Sequence, residues 1–131
     1  MVSKKYILDS SVLIAYFNKK DSQYHKAELL FDKIKPQSPT LIIPILVLVE
    51  TLTVLKQKLT HPEFTYYIKV LLDQNMFYVD NSYYFDQSAA FFNIFSKKNK
   101  ISFIDSFLID YSKSQKLPLL TFDQAINKYL V

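Results

Sequence analysis

The sequence predicts an α/β fold in which a parallel sheet is covered by helices on both faces. Three observations carry this reading. Short apolar, β-prone runs alternate with longer segments of helical period along the whole chain. Several of the helical segments open on capping residues. Half of the 131 residues are hydrophobic, ten tyrosines and eleven phenylalanines among them, enough for one dense core. One domain over 1–131 is therefore expected.

Taken in order, residues 5–8 are a short strand, and residues 10–17 read as a helix directly after it. Asp21 or Ser22 caps a second helix, with Ala27, Leu30, Phe31 and Ile34 on one face. Residues 41–43 form a second strand. Pro44 suits the first turn of a helix running to about Leu59. Thr60 and Glu63 make a capping box for a helix burying Phe64, Tyr67, Ile68, Leu71 and Leu72. Residues 76–79 are a third strand, and Asn81 or Ser82 starts a long helix to about Lys97. Ser102 caps the next, with Ile104, Phe107, Leu108 and Tyr111 facing inward. Residues 119–121 are the fourth strand, and residues 123–130 a final short helix. Strand–helix alternation of this kind makes a parallel sheet, whose sites lie at the carboxyl ends of its strands.

Composition removes several classes of function. Without cysteine there are no disulfides, thiolate metal sites or Cys nucleophiles, and a reducing cytoplasm is the natural home. Without glycine there is neither a Walker loop nor a GxGxxG fingerprint. The net charge of +4 suits a polyanionic partner, and every basic residue is lysine. Phosphate contacts therefore rest on point charges, and this chain supplies no arginine finger. The apolar run at 41–49 is far short of the ~20 residues a spanning helix needs. The run at 6–17 is broken by Asp9, Ser10 and Ser11, and no small-residue cleavage site follows it. The chain reads as soluble and unprocessed.

Four carboxylates stand out. Asp9 follows the first strand in DSSVLI, and taken alone a helix cap explains it. Asp105 lies three residues after Ser102, an S-x-x-D capping pattern. Asp123 follows the fourth strand in LLTFDQAI and also suits a cap, with Thr121 placed to orient it. Glu50, inside PILVLVETLTVL, lies past the first turn of its helix among apolar neighbours, where capping does not account for it. A partly buried carboxylate must be paired, protonated or metal-bound. Asp9 and Asp123 at strand ends, Asp105 at a helix start and Glu50 beside the second strand can meet at one sheet edge. Their mutual repulsion is relieved by a divalent cation, and hard oxygen ligands select Mg2+ or Mn2+. Such a site can activate water against a phosphodiester. His25 and His61 receive no catalytic role. Asp110 is a weak extra candidate, and the lysines at 97, 98 and 100 read first as a solvated loop and second as a phosphate-contacting patch.

These segments resemble PIN-domain ribonucleases, and in particular VapC-type toxins of toxin–antitoxin pairs. LDSSVLIAYF looks like the opening strand and first acidic residue, Asp9, with Ser11 at the small polar position near the metal. PILVLVETLTVL resembles the second acidic motif, giving Glu50. SFIDSFLIDYSKSQKLPLLTFD resembles the third and fourth, giving Asp105 and Asp123 with Thr121 as supporting hydroxyl. The resemblance implies a three-layer α/β/α PIN-like fold with a parallel sheet of four to five strands. It implies Mg2+- or Mn2+-dependent endonucleolytic cleavage of RNA by Asp9, Glu50, Asp105 and Asp123. It also implies a homodimer and a small VapB-like antitoxin that blocks the site. Tyr24, Phe31, Tyr66 and Tyr67 are candidates for the dimer surface. The final strand looks shortened, and the family's active-site arginines have no counterpart here.

Three rivals are weaker. A PIN-like domain could bind RNA or a partner without cutting, but it would not need all four carboxylates. A PIN nuclease could serve RNA processing or DNA cleavage instead of a toxin system. Haloacid dehalogenase phosphatases want Asp-x-Asp after the first strand, where position 11 is serine, and receiver domains want adjacent acids, where Asp9 stands alone.

Overall fold

The computed structural model of the chain describes residues 4–73, 75–82 and 85–130, and its frame is four parallel strands. They are β1 (Lys5–Leu8), β2 (Thr40–Pro44), β3 (Phe77–Asp80) and β4 (Leu119–Leu120), in the order β3-β2-β1-β4. Tyr6 pairs with Leu41, Leu41 with Phe77, and Leu8 with Leu120. The chain thus runs outward from β1 to β3, then returns to place β4 on the other side of β1. The reversal lies between β1 and β4, and in open parallel sheets that crevice is where sites form.

Helices cover the sheet in two groups, giving three layers. α1 (Ser10–Phe17) packs on α2 (Tyr24–Ile34) and α3 (Ile45–Lys58), and α3 packs on α4 (His61–Leu72). α5 (Phe85–Phe95) packs on α6 (Phe103–Gln115), which also meets β4. α7 (Gln124–Asn127) is a single turn after β4. Between the layers Ile7, Leu8, Leu41 and Ile43 of the sheet meet Leu13, Phe31, Leu55, Leu108 and Ile109, all fully buried. Parallel strands buried on both faces are continuous apolar runs, as KYIL and TLIIP largely are.

Several boundaries differ from the sequence reading, each for a local reason. Neither Asp21 nor Ser22 caps α2. Asp21 instead accepts from the backbone N–H of Gln23 at 2.8 Å, closing a turn before the helix, and Gln23 holds the cap position without a side-chain bond. Aspartate often bonds its own backbone two residues on. Pro44 ends β2 and caps α3 with an extended backbone, one position earlier than expected. The predicted start of α5 at Asn81 or Ser82 runs into 83 and 84, outside the described residues. Of the five residues expected to be buried on α4 only Leu71 is; Phe64, Tyr67 and Ile68 are half-buried, and Leu72 is 55% exposed. α4 lies over the β3 edge, packed mainly on α3 and β3 with Tyr67 against the Phe17 ring of α1, so one narrow stripe is covered. Phe31 is also removed from any dimer surface, because it is fully buried and stacked on Tyr16.

The capping box of α4 forms as expected: Thr60 Oγ1 accepts from the Glu63 N–H, and Glu63 Oε1 accepts from the Thr60 N–H. Thr60→Ala is therefore expected to cost about 1 kcal/mol of stability in urea unfolding; an unchanged midpoint would show that the box contributes nothing. A chain without glycine must also put other residues in left-handed turns. Ser38 (φ 48°) and Lys116 (φ 55°) do so, Lys116 at the C-terminus of α6, where about 1–2 kcal/mol of steric cost is accepted.

Candidate active site at the β1–β4 edge

Asp9 is the hub. It follows β1 directly, is 4% exposed, and its N–H bonds to the Leu120 carbonyl at 3.0 Å, which sets it level with Thr121 beyond β4. Its Oδ1 accepts from the Ser10 N–H at 2.8 Å. Its Oδ2 accepts from Thr121 Oγ1 at 2.7 Å and Ser11 Oγ at 2.9 Å. Both hydroxyls are held in turn, since Thr121 Oγ1 accepts from the Asp123 N–H at 3.0 Å and Ser11 Oγ from the Phe122 N–H at 3.1 Å. Each hydroxyl has one proton, and these bonds aim it at Asp9. A carboxylate has about four lone-pair positions. Both on Oδ2 are filled, which leaves one on Oδ1.

Ser10 is the residue the sequence reading missed. Its hydroxyl donates to Glu50 Oε2 at 3.0 Å and lies 3.5 Å from Asp9 Oδ1. It thereby ties the helix after β2 to the end of β1. Its position next to Asp9 was the available signal, but helical period alone does not show which neighbour a serine faces. Glu50 lies in the second turn of α3, half-buried as its apolar context suggested.

Asp123 does cap α7, accepting from the Ala125 N–H at 2.8 Å through Oδ1. Asp105 opens α6, where the Ser102 hydroxyl accepts from its N–H at 3.1 Å. The bland and functional readings of these two residues therefore coexist. Burial pushes the Asp105 carboxyl up from its ordinary value; the Ser102 hydroxyl opposes this, and the charges of Asp123, Asp9 and Glu50 add to it. Asp105 thus feels all three other carboxylates, and no lysine offsets them enough to reverse the shift.

The charges of Asp9, Glu50 and Asp123 reach Asp105, but the four acids do not form a cage. Among the described residues no three Asp, Glu, His or Cys side chains stand close enough to grip a cation. The donor set is nonetheless all carboxylate oxygen, the chemistry of magnesium and manganese.

The remaining candidates lie elsewhere. Asp110 meets Gln87 Nε2 at 3.4 Å. His25 pairs with Glu28 at 3.5 Å on α2, and His61 meets Lys56 at 3.2 Å. A fifth acid, Asp80 at the end of β3, is occupied by the Ser82 N–H at 2.9 Å, the Ser82 hydroxyl and the Tyr111 hydroxyl.

A parallel sheet read at its switch point, with a hydrogen-bonded aspartate after β1, defines a class that comparison can test. The PIN domain family model matches residues 6–129, and the chain belongs to that family. Its fold is that of VapC20 from Mycobacterium tuberculosis, a sarcin–ricin loop cleaving toxin, with a TM-score of 0.74 at 16% identity over 94% of this chain and 93% of that one. PAE2754 from Pyrobaculum aerophilum is similar at a TM-score of 0.65 and 19% identity over 98% and 86%. VapBC2 from Rickettsia felis, solved with a DNA fragment from its promoter, gives 0.67 at 14% over 95% and 92%. No curated protein matches by sequence. Among the described residues no helix is long and apolar enough to cross a membrane.

Proposed function

We propose that this chain is a magnesium- or manganese-dependent endoribonuclease acting as the toxin of a toxin–antitoxin pair. The observation that carries the proposal is the Asp9 hub, which joins residues more than a hundred positions apart around one buried carboxylate. Asp9, Glu50, Asp105 and Asp123 would hold the ion. A bound magnesium or manganese supplies Lewis-acid activation of water and offsets charge on the phosphodiester. The chain's own residues prepare that place. Ser11 and Thr121 fix the Asp9 carboxylate and leave its Oδ1 lone pair open, and Ser10 holds Glu50 beside it. Asp105 brings a carboxyl that ionises reluctantly until a cation is present.

The fold shared with a loop-cleaving toxin supports RNA as substrate, and the VapBC2 pair supports a small VapB-like antitoxin as partner. A homodimer in the cytoplasm completes the reading. Tyr24, Tyr66 and Tyr67 line one groove beside α1 and remain candidates for a protein contact. A second reading, RNA or partner binding without cleavage, draws on the carboxylates not being gathered into a cage.

The deciding experiment incubates purified chain, freed of any partner, with a pool of structured RNAs in magnesium, in manganese and in EDTA, beside Asp105→Asn. Cleavage that needs the metal and is lost in the variant is expected. A folded wild type that cuts nothing with either ion would transfer the case to the non-cutting reading.

A further inference from the structure

Beside Asp105 the surface opens into a groove of about 350 Å3. Lys100, Ile101 and Ser102 form the wall ahead of α6, and Ile126, Lys128 and Tyr129 form the wall beyond β4. The volume is at the low end of ligand pockets, ~300–1,000 Å3, so it suits one nucleotide. Both lysines are exposed, and neither is ion-paired among the described residues. Tyr129 is fixed in place: its hydroxyl donates to Asn99 Oδ1 at 3.1 Å, and its ring meets the Phe95 ring edge-on at 5.0 Å. Lys128 Nζ lies 4.9 Å from the Tyr129 ring centre, holding the ammonium at the wall. The groove is therefore lined by one carboxylate, two ammonium groups, and apolar and aromatic surface.

We infer that this groove is a nucleotide subsite for single-stranded RNA, seating the nucleotide next to the phosphodiester that is cut. Lys100 and Lys128 take its phosphate, and its sugar and base lie against Ile101 and Tyr129. Unstacked bases with aromatic platforms and lysine-held phosphates are the usual terms of single-strand binding. The orientation rests on the ribonuclease reading, because the scissile phosphate must face Asp105. Lys97 and Lys98 belong to the same basic loop and are exposed, yet they do not line the groove. They divide local shape from general charge.

The test compares Lys100→Ala/Lys128→Ala with Lys97→Ala/Lys98→Ala, which lose equal charge. Cleavage is followed with a short mixed-sequence RNA. Binding is followed by anisotropy on the Asp9→Asn background, where cutting does not intervene. For the groove pair we expect KM and Kd about tenfold higher, kcat little changed, and a salt slope smaller by about 0.7, for the one phosphate no longer neutralised. For the loop pair we expect less than about a twofold change. Equal effects of the two pairs, or none from the groove pair, would overturn the subsite while leaving the nuclease intact. Groove-dependent binding from a wild type that cuts no RNA would keep the subsite and remove the nuclease. A wild type that neither binds nor cuts RNA would remove both.

Discussion

Asp9→Asn is expected to lower kcat for RNA cleavage by about a thousandfold, the equivalent of losing several kcal/mol of charge stabilisation at the reacting phosphate. The change removes the negative charge from the one carboxylate held by both β1 and β4. The geometry adds a cost that the sequence alone did not suggest. An aspartate facing three donors, the Ser10 N–H and the Ser11 and Thr121 hydroxyls, becomes an amide with one acceptor oxygen. Whichever way the amide turns, at least one buried donor loses its acceptor. That costs about 1–3 kcal/mol, so the variant should fold and melt several degrees lower. Full activity would remove Asp9 from the chemistry. An unfolded variant would mean that the hub is primarily structural.

Magnesium is expected to stabilise the wild type and to do so much less in Asp105→Asn and Glu50→Gln. An ion at a hundred times its Kd adds about 2.7 kcal/mol to stability. Before the ion is added the order should be reversed for Asp105→Asn. The Asp105 carboxyl is raised above its ordinary 3.8, first by burial and then by three neighbouring charges. A raised carboxyl pKa means the native state holds the proton more tightly than the unfolded chain. The resulting penalty is fully present above the folded pKa and fades as pH falls toward the unfolded value. In EDTA at neutral pH, Asp105→Asn should therefore melt above the wild type, with the gap closing in acid. Calorimetry with and without magnesium reads both effects. A variant that melts lower in EDTA, or equal magnesium shifts in all three proteins, would take Asp105 and Glu50 out of the ion's surroundings.

Much of the frame was legible because strand, cap and breaker signals act locally. The β1 run, the Thr60–Glu63 box and the Ser102 cap depend on a few adjacent residues, and all three appear. The placement of Asp9 and Asp123 at neighbouring strand ends followed from the rule for parallel sheets. What was not legible depends on partners distant in the chain. Ser10 bridges to Glu50 forty residues away, and no local pattern signals that. Leu72 fits the helical period of α4, but period does not report how much neighbour lies opposite. The Lys100 loop looked like solvated charge until α7 and Tyr129 closed the other side of its groove.

The bond from Thr121 to Asp9 spans 112 positions of sequence. During synthesis Asp9 emerges early, while the hydroxyl that aims it and Asp123 beside it are made more than a hundred residues later. Until β4 has been made and has docked beside β1, the Asp9 carboxylate lacks the Thr121 hydroxyl, the Ser11 hydroxyl lacks the Phe122 N–H that aims it, and the groove beside Asp105 lacks a wall. Contacts of such long range also form late, because a large loop must close before they give any return. A growing chain that has not yet made β4 therefore cannot carry the assembled Asp9 hub.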